Sequence, residues 1–435
     1  MTESTLAAGD PPNPVSAPVR WYVLVLMVAV YTLSITDRYM IQQVLEPIRI
    51  ELKLTDFWIS QIGGVPLALF YVVLGFPISW LIDRGNRRNI IVASLVAWSL
   101  MTAFCGWSRN AWQLIAARVG VGIGEAGCTP PAHSAISDYF PSERRASALS
   151  IYALGVPVGT ALAAVGGGWL AQNFDWRSAF WALGAPGLIA AILLKLTVRE
   201  PPRSGADVKA PSFGETWKTL SSKACFWHVA FGAALVSFVG YASAQFLPTY
   251  ILRTYHLSLL NTSFAFGIIA GFAAGLGTFL GGVIADRLRP KHPRVATWLP
   301  ALGLMIALPL YLLAYAFQGS FAVAFGILLV APIFHYLYLG PIYAVTQSIV
   351  QPRMRATATA ILILIINLIG YGLGPPLLGN LANIFTDQVL AQHSMTLAAC
   401  HGVEDGVCAT ARQIGLRNAL LAVTCVLAWP IVHFL

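Results

Sequence analysis

Four charged residues lie in the middle of otherwise apolar stretches of this sequence. Asp37 and Arg38 stand in the first such stretch, and Arg118 and Glu125 stand in the fourth. A charge inside a hydrophobic segment is energetically expensive, so each one needs a partner or a function. The four charges sum to zero, as expected of buried charges that pair. A low-dielectric environment favours the neutral carboxylic acid, whereas a nearby arginine favours the carboxylate, so this residue set is suited to taking up and releasing protons.

Helical spacing indicates which charges pair. Arg118 and Glu125 are seven residues apart, which is two helical turns, so they share one face. The adjacent Asp37 and Arg38 point about 100° apart and make poor partners for each other. Counting about 1.5 Å per residue along both helices places Arg118 near the depth of Asp37 and Arg38. We therefore expect Asp37 to pair with Arg118 first, and Arg38 with Glu125 second. The four residues form either a fixed network that holds two helices together or a proton switch.

The composition predicts the elements that position these charges. Hydrophobic residues make up 57% of the chain and charged residues 10%, and the mean hydropathy is +0.69, which is typical of an integral membrane protein. Twelve apolar stretches are long enough to cross about 30 Å of hydrocarbon. They cover approximately residues 21–45, 57–82, 89–108, 112–139, 146–170, 177–198, 225–252, 262–286, 295–317, 321–349, 356–386 and 415–435. The sequence therefore predicts an all-α membrane protein with twelve transmembrane helices.

A charged turn recurs in the two halves of the chain. Residues Asp83–Arg88 end one apolar stretch, and Asp286–Arg289 end another, with the two aspartates 203 residues apart in a chain of 435. Such a repeat predicts two pseudo-symmetric six-helix bundles. We assign residues 19–199 to the first bundle, 225–435 to the second, 200–224 to a cytoplasmic linker, and 1–18 to a disordered cytoplasmic tail without a cleavable signal.

The linker contains one short periodic segment. Phe213, Trp217 and Leu220 recur at helical spacing beside Lys218 and Lys223. This pattern fits an amphipathic helix at the membrane interface. An ordinary solvated linker is the alternative.

The loop charges predict the orientation. Of the Lys and Arg residues that we count in loops, 16 fall on the side of the linker and seven on the opposite side. The positive-inside rule then places both termini and the linker in the cytoplasm. We expect the protein to lie in the plasma membrane, which in a bacterium is the inner membrane. The net charge of +9 reflects this topology, and nothing in its distribution indicates a nucleic-acid surface.

Several motifs resemble one branch of a transporter family. They are the run from Ala117 to Ala126, the segment Thr36–Arg38, the turn Asp83–Arg88, and the stretches Pro141–Tyr152 and Gly155–Gly159. Together they resemble the Spinster branch of the major facilitator superfamily. The turn has Asn86 where the general superfamily motif has Gly, which fits the Spinster-like variant. The second copy, at Asp286, lacks the following Asn-Arg-Arg.

The resemblance implies a function. Similar proteins transport sphingolipids or lysophospholipids by alternating access, and a bacterial member would be proton-coupled. Asp37 and Glu125 then carry the protons, while Arg38 and Arg118 are their partners and ligands for an anionic headgroup. The alternatives are a proton-coupled transporter of a small organic anion or drug, and a non-coupled lipid scramblase or receptor. We expect a monomer without cofactor or metal, and not an enzyme, because no nucleophile–base or metal-ligand set is evident.

The resemblance also implies a central cavity. In this superfamily helices one, four, seven and ten line the cavity, which would add Ser34 to the four charges. The second half would contribute Tyr241, Gln245, His335 and Tyr338, which we expect to form a mostly aromatic and aliphatic wall.

The expected cytoplasmic gate lies at the first charged turn. By resemblance, Asp83 and Arg84, aided by Arg144 or Arg145, latch the two halves when the cavity opens outward. A charge cluster that only sets topology is the alternative.

Two of the six cysteines stand apart from the others. Cys400 and Cys408 lie in the long loop before the last predicted helix, on the side predicted to be external. A disulfide persists in such an environment, so we expect these two residues to be bonded. The other four cysteines fall in or near the apolar stretches and are interpreted as apolar filler.

Overall fold

The structure is a computed structural model that describes residues 16–63, 85–140, 142–200, 213–292, 294–351, 354–400 and 406–435. These residues are almost entirely helical. In the first half the helices are α1 (Ala17–Glu51), α2 (Asp56–Gly63), α3 (Arg87–Trp107), α4 (Ala111–Ala126), α5 (Thr129–Tyr139), α6 (Ser142–Ala153), α7 (Gly155–Leu162), α8 (Gly168–Asn173) and α9 (Trp176–Thr197). The linker contributes α10 (Phe213–Ser221).

The second half contains the remaining helices. They are α11 (Ala224–Tyr255), α12 (Leu259–Phe266), α13 (Ala274–Leu288), α14 (Val295–Ala316), α15 (Phe321–His335), α16 (Leu339–Ser348), α17 (Arg355–Ile366), α18 (Gly372–Ala391), α19 (Gly406–Cys425) and α20 (Ala428–Phe434). Short π-helical segments join some of them into longer rods, at Ala163–Gly167, Gly267–Ala273 and Asn367–Tyr371.

Ten helical rods in the described residues are long and apolar enough to cross a membrane. They correspond to ten of the twelve predicted spans. The second predicted span lies mostly outside the described residues, which include only its beginning, α2. The fourth is divided into α4 and α5 at Gly127 and Cys128, because Pro130 and Pro131 open the new helix and have no backbone N–H to continue the old one. The all-α membrane architecture is confirmed.

Two helices of the second half extend beyond the predicted apolar stretches far enough to include an arginine with a largely buried side chain. The last rod begins at Gly406 rather than near residue 415, and it contains the buried Arg412. Helix α11 ends at Tyr255 and contains Arg253, whose side chain is only 9% exposed. Both arginines therefore stand inside helices, although they lie outside the predicted apolar stretches. Both arginines have oxygen partners that offset the cost of burial, and hydropathy alone does not register such partners.

The helix ends define two faces of the molecule. At the proximal face lie the start of α1, the end of α9, the start of α11 and the end of α20. Tyr22 bonds Thr197 there (Oη to Oγ1, 2.7 Å), and the His228 and His433 rings approach within 3.2 Å (Nδ1 to Nδ1). At the distal face α1 and α11 end, and α2 and α12 begin.

The halves also meet along the rods that contain the first two π-helical segments. A Cβ atom placed on Gly267 would lie 2.7 Å from the Ala164 Cβ, and one on Gly168 would lie 2.4 Å from the Ser263 Oγ. Glycine at these two positions permits the close approach of the two backbones.

The linker helix α10 belongs structurally to the second half. Thr216 and Leu220 are buried, and α10 packs against α11 and α17. The Trp227 Nε1 donates to the Ser221 carbonyl (3.0 Å), while the Phe213 and Trp217 rings stack. The predicted helix is thus present, and its position at the membrane interface remains a prediction.

Cys400 and Cys408 form a disulfide in the structure. One turn beyond Cys408, the buried Arg412 donates to the Cys400 carbonyl. The bond and the guanidinium therefore fix the same chain segment to the start of α19.

Replacing Cys400 and Cys408 by serine is expected to lower the free energy of unfolding by about 2–3 kcal/mol, because the closed loop restricts the unfolded chain. The difference between parent and variant in thermal unfolding measures this effect. The same comparison under reducing conditions is the control, since both proteins should then unfold alike. Mass spectrometry without reductant that found both thiols free would contradict the assignment.

Candidate functional site

A buried ion pair links α1 to α4 in the interior of the first half. The Arg118 Nη1 lies 2.7 Å from the Asp37 Oδ2, and the Thr102 hydroxyl on α3 donates to the Asp37 Oδ1 (3.1 Å). The side chains of Asp37 and Arg118 are completely inaccessible to solvent. Three helices thus hold one carboxylate.

A second ion pair joins the same two helices. The Arg38 Nη2 lies 2.8 Å from the Glu125 Oε2, and the Arg38 side chain is 30% exposed whereas that of Glu125 is fully buried. Both pairings expected from the helical spacing are present in the structure. We refer to Asp37, Arg38, Arg118 and Glu125 as the central charged cluster.

Arg118 has hydrogen-bonding capacity beyond its pair with Asp37. Its Nε and Nη2 atoms are buried and have no hydrogen-bond partner among the described residues. An unmet donor on a buried cation is costly, and a guanidinium group presents its N–H groups in a planar fork that matches carboxylate and phosphate oxygens. The site can therefore accept an additional anionic oxygen.

Aromatic side chains of the second half face the central charged cluster. The Tyr241 side chain lies close enough to Arg38, Tyr39, Tyr336 and Tyr371 to interact with them electrostatically. The Tyr241 and Tyr371 ring centroids lie 4.7 Å apart. This arrangement combines a charged wall with an aromatic one.

Sequence reasoning found Tyr241 but not Tyr371 or Asn367. The Tyr241 hydroxyl donates to the Asn367 Oδ1 (3.3 Å), and Asn367 and Tyr371 bound the π-helical segment of the rod that runs from Thr357 to Ala391. The only signal in the sequence was the glycine-rich composition of that rod.

The other predicted cavity residues are all buried in the structure. Ser34 is buried on α1. The Gln245 Nε2 donates to the Ile59 carbonyl (3.0 Å), so this side chain joins the two halves toward the distal face. His335 and Tyr338 are buried. Their assignment to the cavity wall remains a prediction.

His335 and Tyr338 have partners within the second half. The His335 ring packs against that of Tyr311 at 5.8 Å. The Tyr338 hydroxyl lies 2.7 Å from the Ser237 Oγ.

Only part of the predicted cytoplasmic gate lies within the described residues. Asp83 and Arg84 lie outside the described residues, as does the side chain of Arg145, and Arg144 is exposed at the start of α6. The gate stays a prediction.

Arg87, from the same charged turn, is buried within the first half instead. Its Nε lies 2.7 Å from the Glu200 Oε1, and its Nη1 bonds the Ser134 Oγ (2.9 Å) and the Asp138 Oδ2. Sequence reasoning did not identify this cluster, although Asp138 and Glu200 are acidic residues at predicted helix ends. The described residues contain no group of three or more His, Cys, Asp or Glu side chains that could hold a metal ion.

Comparison with known proteins agrees with this architecture. The family model described as Major Facilitator Superfamily matches residues 27–375. An MFS-type efflux pump of Mycolicibacterium smegmatis is 33% identical over 375 residues, which cover 86% of each chain. Protein spinster homolog 1 of Homo sapiens is 27% identical over 385 residues, which cover 83% of this chain and 72% of that protein.

A solved structure is also similar over almost the whole chain. It is the crystal structure of a bacterial homologue of the human lysosomal transporter Spinster, in an inward-facing and unoccupied conformation. The TM-score is 0.88 at 36% identity, and the match covers 97% of both chains. This protein therefore belongs to the major facilitator superfamily of membrane transporters, and within it to the Spinster-like branch.

Proposed function

We propose that this protein is a proton-coupled secondary transporter of an amphipathic lipid of the sphingolipid or lysophospholipid class, working by alternating access. The observation that carries the proposal is the fully buried Asp37–Arg118 pair, in which Arg118 retains donors for a further anion. The lipid class is the one that the resemblance to the Spinster branch implies.

The central charged cluster can couple an anion to a proton. A phosphate or carboxylate headgroup that binds Arg118 competes with Asp37 for the guanidinium. The Asp37 carboxylate, once deprived of its partner in a low-dielectric site, favours the protonated form. Headgroup binding and protonation of a carboxylate oxygen therefore assist each other, and the coupling is reciprocal.

The second ion pair gives the cluster a route to solvent. Arg38 is the partly exposed member of the cluster, so it is the first group that an entering ligand or water meets. Displacement of Arg38 exposes Glu125, which can then exchange its proton with that water.

The aromatic side chains are suited to binding the apolar part of the ligand. Tyr241, Tyr336 and Tyr371 carry large apolar rings with one polar end each. Such rings accept an alkyl chain on their faces and hydrogen-bond a headgroup at their edges. One charged wall and one aromatic wall fit an amphiphile better than a purely polar solute.

A transporter of a small organic anion or drug is the second candidate. The relationship to an MFS-type efflux pump favours it, and the same Arg118 donors would bind the anion. A non-coupled scramblase or receptor would need no proton movement. Reconstitution in liposomes with a panel of lysolipids and an imposed pH gradient separates the three, because only the first gives proton flux that depends on the lipid.

The expected orientation, with both termini cytoplasmic, has a direct test. Arg144 and Arg109 are exposed residues at opposite faces of the first half. In a protein whose exposed Cys225 and Cys425 are replaced by serine, an impermeant maleimide added to intact cells should label a cysteine at position 109. It should label one at position 144 only after the cells are opened. The reverse pattern would overturn the orientation.

A further inference from the structure

A compact group of charges connects the two halves at the distal face. Glu46 and Arg49 lie in the last turns of α1, Asp56 is the first residue of α2, and Arg253 lies near the end of α11. We call Glu46, Asp56 and Arg253 the distal latch. None of the three belongs to the central charged cluster.

Arg253 of the second half binds both carboxylates of the first half. Its Nε and Nη2 donate to the two Glu46 carboxylate oxygens at 3.1 and 2.9 Å. Its Nη1 and Nη2 donate to the two Asp56 carboxylate oxygens at 2.9 and 2.7 Å. One guanidinium group thus spans the boundary between the halves with four hydrogen bonds.

The four side chains are balanced in charge and buried, so their contacts stabilise the closed distal face. Arg49 donates to Glu46 through Nε and Nη2 at 3.1 and 2.8 Å, so the two acids and two arginines balance in charge. Arg49, Asp56 and Glu46 are 2, 3 and 9% exposed. Breaking a buried ion pair by removing one partner is strongly destabilising, because it leaves the other charge buried and uncompensated.

Uncharged contacts close the same boundary. The Gln245 side chain donates to the Ile59 backbone (3.0 Å). A Cβ on Gly379 in α18 would lie 2.6 Å from both the Asp56 carbonyl oxygen and the Ser60 Cβ. The first turns of α2 are therefore packed tightly against the second half, directly beside the latch.

We propose that Arg253 is the positioning residue that holds the distal face closed, and that the distal side of the transport path opens when it leaves Glu46 and Asp56. This inference rests on alternating access in the proposed function, but not on the identity of the substrate or on proton coupling. On opening, Glu46 keeps Arg49, whereas Asp56 loses its only charged partner among these four residues.

The test measures the distance across the distal face. Spin labels at positions 109 and 392 report on it, because Arg109 and Gln392 are exposed in opposite halves. Labels at Arg144 and Lys291 report on the proximal face. In Arg253→Gln we expect a longer distal distance and a shorter proximal one than in the parent.

A matched control lies on the same face. Arg177 pairs with Glu51 at 2.6 Å within the first half alone, so Arg177→Gln should leave both distance distributions unchanged. If Arg253→Gln also leaves them unchanged, the proposal is wrong.

A charge-balanced variant distinguishes opening of the distal face from misfolding. Asp56→Asn combined with Arg253→Gln removes one acid and one base, and leaves Glu46 with Arg49. We expect parental thermal stability together with the open distal face. Since no substrate or pH gradient is needed, these outcomes are independent of whether the lipid and proton assignments hold.

Discussion

Replacing Glu125 by glutamine should abolish the response of the conformational equilibrium to pH while leaving the protein folded. The amide has nearly the size of the carboxylic acid, and its Oε1 can still accept from the Arg38 Nη2, which lies 2.8 Å from the carboxylate in the parent. It has no charge to lose, so it mimics the protonated state. Linkage between a proton and a conformation typically changes an equilibrium about 5–150-fold, and this factor should fall to about one.

Label distances across the proximal face, measured from about pH 5 to about pH 9, decide this prediction, since buried carboxylates of proteins titrate within that range. Asp37→Asn should weaken the same response. The Arg177→Gln protein is the control, because its ion pair is far from the cluster and should respond as the parent does. If the Glu125→Gln, Asp37→Asn double variant still switches with pH like the parent, the proton site lies elsewhere, and His335 is the next candidate.

Replacing Arg118 by alanine should both destabilise the protein and eliminate binding of an anionic lipid. The substitution leaves the fully buried Asp37 carboxylate with only the Thr102 hydroxyl among its described bonds. Breaking a buried ion pair by removing one partner costs about 3–5 kcal/mol. It also removes the guanidinium donors that we assign to the headgroup.

Two further variants separate stability from binding. Asp37→Asn with Arg118→Gln neutralises both partners, so thermal stability should recover while lysolipid binding stays absent. Arg118→Lys keeps the charge but loses the planar fork, and should bind more weakly than the parent. Parental lysolipid affinity in the neutral double variant would show that Arg118 does not hold the headgroup.

The pairings of the central charged cluster were predictable because helix geometry is nearly invariant. Rise and rotation per residue set the depth and direction of Asp37, Arg118 and Glu125 once the helix starts were placed. The all-α membrane architecture followed in the same way, from the length of the apolar stretches and from the charged turn that recurs at Asp286.

The remaining features depend on contacts between distant parts of the chain. Arg253 stands near the end of an apolar stretch, and nothing local shows that Glu46 and Asp56 meet it there. Asn367 and Tyr371 approach Tyr241 through the packing of the rod that runs from Thr357 to Ala391, which no periodicity in the sequence encodes. The interruption at Gly127 was signalled by the following prolines, but the apolar average across the fourth span concealed it.

Proton movement driven by lipid tests the central claim most directly. Purified protein is reconstituted in liposomes that contain a pH-sensitive dye, and a lysophospholipid or sphingolipid is added outside without an imposed gradient. We predict a proton flux that depends on the lipid for the parent, and none for the Glu125→Gln, Asp37→Asn double variant. Lipid transport without proton flux in the parent, or parental flux in the double variant, would contradict the proposal that Asp37 and Glu125 couple protons to an amphipathic lipid.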